Sequence, residues 1–290
     1  MKINPVSRMI VKKNECGALI VTGRDKIKSG YGNGDCLLLN LKHSFFALSD
    51  STERHSRASS DLLGRLSDEV GREGVPEGKK EWLDLVNRVF AVQKYQHKAT
   101  FSLAAIRHSG TEASICIING GDSAVTVVNK VTGRVEYATV PNMNFAGRSK
   151  GISGVMEVVL KGSEYRLVMA SDGLSDVARF RGMDMAEMMK SFLSCEQVHR
   201  IPEKLGDMIR SADAKGVAGN YDDIGIIVVD PAHLAADCNA QIVMGGTSPI
   251  EEKAYQKNVN GSGSRGEWIP LKDLPEKIGH INMCGIRITN

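Results

Sequence analysis

The chain has 290 residues, 42% of them hydrophobic but only 5% aromatic, so aliphatic side chains must build its core, in one large domain or two small ones. A formal net charge of +3 without a long basic run excludes nucleic acid as the default partner. No window approaches the roughly 20 apolar residues of a membrane helix, and the N-terminus lacks the apolar stretch of a secretory signal, so a cytoplasmic protein with no membrane partner is expected.

Short apolar runs open the chain. Gly17–Thr22, Cys36–Leu41 and Ser44–Leu48 read as strands, with Lys42-His43 as a tight turn between the last two. Between Arg57 and Val70, Ala58, Leu62, Leu63, Leu66 and Val70 recur at helical spacing, which predicts a one-faced amphipathic helix. Glu73-Gly-Val-Pro76 ends it, and a second helix is predicted from about Lys79 to Tyr95. Strands return at Thr100–Ile106, Ala113–Ile118, Ser123–Val128, Arg134–Thr139, Val155–Leu160 and Tyr165–Ala170, joined by hairpin turns such as Asn129-Lys-Val-Thr-Gly133. Helical segments follow near Met183–Leu193 and Pro202–Ala212, and the last strong strand is Ile224–Val229. Consecutive hairpins predict antiparallel sheets, and helices arriving in pairs predict layers over the outer faces of two packed sheets.

The six cysteines, Cys16, Cys36, Cys116, Cys195, Cys238 and Cys284, form no Cys-x-x-Cys pair and have no His pair at zinc spacing. A reducing compartment without disulfides is expected. Composition changes after Pro231, where Gly245-Gly246 and Asn258–Gly266 resemble a flexible linker. The expected organisation is one domain over residues 1–231 and a partly flexible C-terminal extension over 232–290. Its segment from Trp268 to Ile288 is a candidate for docking a partner.

Three acidic signatures carry the chemistry: Phe46-Ala-Leu-Ser-Asp50, Met169-Ala-Ser-Asp172-Gly173 and Tyr221-Asp222-Asp223-Ile224. Asp35, in Gly32-Asn-Gly-Asp35, joins them. Each alone reads as an ordinary turn. Together they place carboxylates at the ends of several strands, where oxygen ligands hold hard divalent cations. Crowded carboxylates repel one another, and a bound dication removes that cost. A pair of such ions can activate water for attack on phosphorus.

With Gly120-Gly-Asp122-Ser123 added, the motifs resemble, in order over about residues 15 to 230, the metal-dependent serine/threonine protein phosphatases of type 2C. The resemblance is greatest to the bacterial sporulation and stress-response branch. It implies an α+β fold, a four-layer α-β-β-α sandwich with two central antiparallel sheets, and two Mn²⁺ or Mg²⁺ ions between their loop ends. Carried over, Asp50 would bridge both ions, Asp172 and Asp222 would complete one, and the carbonyl of Ser51 would serve the other. Asp35 would be a ligand or hold metal-bound water, and Asp122 would stand near a third ion, with Gly173 beside the cluster. The nucleophile would be metal-bound water, with no catalytic side chain, and the partner a phosphoprotein carrying phosphoserine or phosphothreonine.

Several positions depart from that pattern. Asp-Gly-x-Gly reads Asp50-Ser-Thr-Glu53, and Ile224-Gly225 replaces a hydrophobic-Thr pair. The arginine that some members place before the first aspartate has no counterpart, as Gly30 and Tyr31 occupy that neighbourhood. Arg24, Arg54, Arg57 and Arg148 are left without a role, and His55 reads as a helix-start residue. The altered loop keeps a second class open, a non-catalytic binding module, and a third is a small-molecule phosphohydrolase.

Overall fold

The computed structural model describes residues 7–289 apart from 13, 95, 110, 186, 189–196, 199, 215–218, 236–237, 263–266, 271–280 and 284. Its strands, in chain order, are β1 (Ser7–Lys12), β2 (Cys16–Val21), β3 (Asp35–Asn40), β4 (Phe45–Asp50), β5 (Phe101–Ser109), β6 (Glu112–Gly120), β7 (Ala124–Asn129), β8 (Val135–Ala138), β9 (Val155–Lys161), β10 (Tyr165–Ala170), β11 (Ile224–Val229), β12 (Gln241–Gly245), β13 (Glu267–Pro270), β14 (Ile281–Met283) and β15 (Ile286–Thr289). The helices are α1 (Arg24–Ser29), α2 (Arg57–Glu73), α3 (Lys79–Ala91), α4 (Gly173–Phe180), α5 (Arg200–Ala214) and α6 (Pro249–Ser262).

The strands form two sheets. One runs β13-β1-β2-β11-β10-β7-β8 and the other β14-β15-β12-β3-β4-β5-β6-β9. Every pairing is antiparallel except that of β1 with β13. Successive side chains of a strand point to opposite faces, so a strand buried on both sides reads as an unbroken apolar run. In β3, Leu37 and Leu39 enter the core between the sheets, while Cys36 and Leu38 face the helical layer of α2 and α3. That layer packs Leu62, Leu63, Leu66 and Val70 of α2 and Trp82, Leu85 and Val86 of α3 onto the sheet. Phe45 meets Trp82 at 5.4 Å between ring centroids. On the opposite side, Leu174 and Val177 of α4 and Ile201, Leu205 and Ile209 of α5 cover Leu19, Val168 and Ile226. Each fully buried side chain of this size stabilises the fold by roughly 1.5–3 kcal/mol. The result is the α-β-β-α sandwich.

Several elements were not anticipated from sequence: β1, α1, α4 and the strands after residue 231. The helix expected near Met183–Leu193 falls mostly outside the described residues, as does Met189. Met188 is buried and Met185 packs beside it in the α4–α5 layer, which is a core role. Residues 232–290, set apart on composition, supply β12, whose partners are β3 on one side and β15 on the other. Glu252 and Tyr255 of α6 are also buried, against Ser7 and Arg8. Leu271 and Leu274 lie outside the described residues. Among the described residues no helix is long and apolar enough to cross a membrane.

Candidate functional site

The β3–β4 hairpin pairs Asp35 with Asp50 across the two strands, so both stand at the same end of one sheet. The hydroxyl of Thr100 accepts the N–H of Asp50 at 2.8 Å and lies 2.8 Å from the hydroxyl of Ser123, while the N–H of Thr100 donates to the carbonyl of Asp50 at 2.7 Å. Thr100, with Ser123 of the Gly120-Gly-Asp122-Ser123 motif behind it, therefore braces the Asp50 backbone.

The other sheet approaches from β10 and β11. Ser171, just past β10, donates its hydroxyl to Asp35 Oδ2 at 2.6 Å and accepts the N–H of Gly225 at 2.9 Å. One serine thus joins the two sheets at their common end. Asp223 makes a second joint: its Oδ1 accepts the N–H of Gly23 and its Oδ2 that of Gly34, both at 2.6 Å. Two close approaches depend on missing side chains. A Cβ on Gly34 would lie 2.4 Å from the Ser51 carbonyl oxygen, and one on Gly173 would lie 2.0 Å from the Asp223 carbonyl oxygen. Gly173 therefore acts by letting the start of α4 settle onto the start of β11.

These joints shape a cleft of about 660 Å³. Asp50, Ser51, Asp122, Asp172 and Asp222 all line it, so five of the predicted positions converge on one cavity. Asp35 is buried, at 1% exposure. Lys26, Glu53, Arg54, His55, Lys98 and Arg148 complete much of the wall. Arg54 and Arg148 are thus the candidates among the four unassigned arginines that reach the cleft. The His55 and His97 rings meet at 4.8 Å between centroids, tilted by 41°.

No family model matches the chain, and no curated protein matches it. Solved structures do. A bacterial serine phosphatase superposes with a TM-score of 0.55 at 15% identity, covering 77% of this chain and 99% of that one. A variant of a bacterial serine phosphatase gives 0.55 at 19% identity, with 74% and 97% covered. The SiaA-PP2C domain of Pseudomonas aeruginosa gives 0.51 at 10% identity, with 73% and 85% covered. The chain has the type 2C phosphatase fold.

Within this type 2C fold the cleft crowds several carboxyls together, with basic side chains on its wall. Burial holds the carboxyls of Asp35 and Asp50 well above the usual carboxylate range, and neighbouring acids push the same way: Asp50 and Asp223 act on Asp35, while Asp172 and Asp222 act on Asp50. Asp172 is raised by burial and then by Asp122 and Asp222. Burial pushes Asp223 up to about 8, against the pull of the Gly23 and Gly34 N–H groups and of Lys26.

Among the described residues, no three acidic, His or Cys side chains already stand at coordinating spacing around a single point. The donor set nevertheless fits a hard divalent cation in kind. It offers carboxylates and a peptide carbonyl, with no thiolate among the residues lining the cleft. Mutual repulsion among these carboxylates is the cost that such a cation would remove.

Sequence reasoning passed over Ser171, Asp223 and Lys26 of this site, and Glu252 of the neighbouring buried cluster. Ser171, inside a quoted motif, was not read as a side-chain ligand of Asp35. Asp222 was named as a ligand, but its neighbour Asp223 was given no role, although its carboxylate ties Gly23 to Gly34. Lys26 and Glu252 belong to elements that sequence periodicity did not reveal.

Proposed function

We propose that this protein is a metal-dependent phosphoprotein phosphatase acting on phosphoserine and phosphothreonine. The observation that carries the reading is the convergence of Asp50, Asp122, Asp172 and Asp222 on one cleft, above an Asp35 fixed by Ser171. Asp50 would stand between two Mn²⁺ or Mg²⁺ ions. Asp172 and Asp222 would hold one, the Ser51 carbonyl would hold the other, and Asp35 would orient a water or bind directly. When bound, such ions supply an activated water and offset charge on the transferring phosphoryl group.

The chain's own residues do the rest. Thr100 and Ser123 fix the Asp50 backbone, and Ser171 fixes the Asp35 carboxyl. Lys98, seated 3.7 Å over the Phe145 ring, brings positive charge to the cleft wall with Arg54 and Arg148. These groups would attract and orient a phosphate dianion. No nucleotide-binding Gly-x-x-x-x-Gly-Lys-Ser/Thr loop exists in the sequence, which favours a phosphoprotein over a nucleotide.

Phosphate release from p-nitrophenyl phosphate and from a phosphoserine peptide tests the reading. Turnover with Mn²⁺ that a chelator abolishes is expected. No turnover with either Mn²⁺ or Mg²⁺ would refute it.

A further inference from the structure

Lys26 stands among the cleft's carboxylates. Its Nζ lies 2.8 Å from Glu53 Oε1 and 3.1 Å from Asp222 Oδ1, with the side chain only 6% exposed. The same Asp222 oxygen accepts the Asp223 N–H at 2.7 Å. That oxygen therefore already engages an ammonium group, shared with Glu53, and a backbone donor before any ion arrives.

This placement is built rather than incidental. Gly23, just before α1, is tied to Asp223 through its N–H. At the other end, the N–H groups of Gly30 and Tyr31 both return to the Lys26 carbonyl, and Gly30 adopts a left-handed φ of 73°. The backbone that presents Lys26 is thus fixed on both sides. Its partner Glu53 occupies the fourth position of Asp50-Ser-Thr-Glu53, where the related pattern has glycine. That departure from the pattern thus meets Lys26, far from it in sequence, as an ion pair on the wall of the cleft.

We propose that Lys26, anchored by Glu53, is a resident counter-charge that shares Asp222 with the divalent cation and so weakens binding on the Asp222 side. This inference rests on the phosphatase reading above. A fixed ammonium repels a nearby dication and engages an oxygen the dication would use. The two ions therefore bind with unequal affinity, and Lys26 sets the gap.

The test is calorimetric titration of the chelator-treated full chain with Mn²⁺, in wild type and in Lys26→Met, with circular dichroism to confirm folding. The expected result is that the weaker binding step tightens at least ten-fold in Lys26→Met. Lys26→Arg, which keeps the charge, should titrate like wild type. Glu53→Gln, which releases Lys26 toward Asp222, should weaken that step further. Unchanged or weaker Mn²⁺ binding in Lys26→Met overturns the proposal. So does a raised KM for a phosphopeptide with Mn²⁺ affinity unchanged, since that assigns Lys26 to the substrate. If neither wild type nor Lys26→Met binds Mn²⁺, the metal centre itself is refuted. If wild type binds two ions and Lys26→Met matches it, only the counter-charge falls.

Discussion

Glu252→Ala should destabilise the protein more than most single substitutions. Glu252 and Arg8 are both 0% exposed and meet at 2.8 Å, and the Arg8 guanidinium lies 3.9 Å from the centre of the Tyr255 ring. The same carboxylate accepts the hydroxyls of Thr22 at 2.6 Å and Thr247 at 2.8 Å. Those hydroxyls in turn accept the side-chain amide and the backbone N–H of Asn33, both at 3.1 Å. Removing one partner of a buried ion pair costs about 3–5 kcal/mol. Each of the two hydroxyl bonds adds about 1 kcal/mol. A loss of at least about 5 kcal/mol is a large share of the roughly 5–15 kcal/mol that stabilises a typical fold. At roughly 2 °C per kcal/mol for a chain of this size, the melting temperature should fall by roughly 10 °C. Urea denaturation and thermal melting of the full chain measure both. Asn33 accepts the N–H of Asp35 at 2.9 Å, so Mn²⁺ binding should weaken as well. A Glu252→Ala protein within 1 kcal/mol of wild type would refute the account of this cluster.

Three other outcomes are expected. Asp172→Ala should abolish turnover with little loss of stability, because it removes one of several mutually repelling carboxylates, while Asp50→Ala should also lower the Mn²⁺ stoichiometry. Wild-type rate in the first variant, or unchanged stoichiometry in the second, contradicts those assignments. Truncation after Asp230 deletes β12 from between β3 and β15, together with Glu252. We propose that the domain extends through β15, so that product should be insoluble or melt without cooperativity, and a soluble, cooperative one would show that the shorter segment folds alone. The last of the three concerns pH. Asp35, Asp50, Asp172 and Asp223 all titrate above the ordinary 3.8, Asp223 near 8, so the folded chain retains protons that the unfolded chain has released. Stability of the chelated protein should therefore fall as pH rises from about 4 towards 8, and Mn²⁺ should flatten that slope. Melting curves at pH 5 and pH 8 decide it, and a chelated protein more stable at pH 8 counts against the acidic cluster.

The convergence of Asp35 and Asp50 was legible because the two lie equally far from the Lys42-His43 turn, so a simple hairpin must pair them. The α2 stripe and the run Cys36–Leu41 were legible because burial on one or both faces dictates their periodicity. Other elements had no such signal. Strand β1, Ser-Arg-Met-Ile-Val-Lys, buries Arg8 through an ion pair and so carries a charge where a core strand predicts none. Helix α1 spans six residues, too few to show a stripe. Strand β12 ends at Gly245-Gly246, and composition there suggested a linker, although Gly245 and Gly246 sit against Ile20 and Ser60. Lys26 was invisible because its role depends on Asp222, far along the chain.

The placement of β12 has a consequence for biosynthesis. Leu38 of β3 pairs with Val243 of β12, and Met9 of β1 with Trp268 of β13, so strands made early wait for strands made about 200 residues or more later. Until then β3 presents an apolar edge with open backbone donors and acceptors, the feature that invites pairing with other chains. Long-range closure of this kind slows folding and prolongs that exposure. A nascent chain should therefore depend on a chaperone until β12 to β15 are available to pair, and a chain cut before β12 should aggregate.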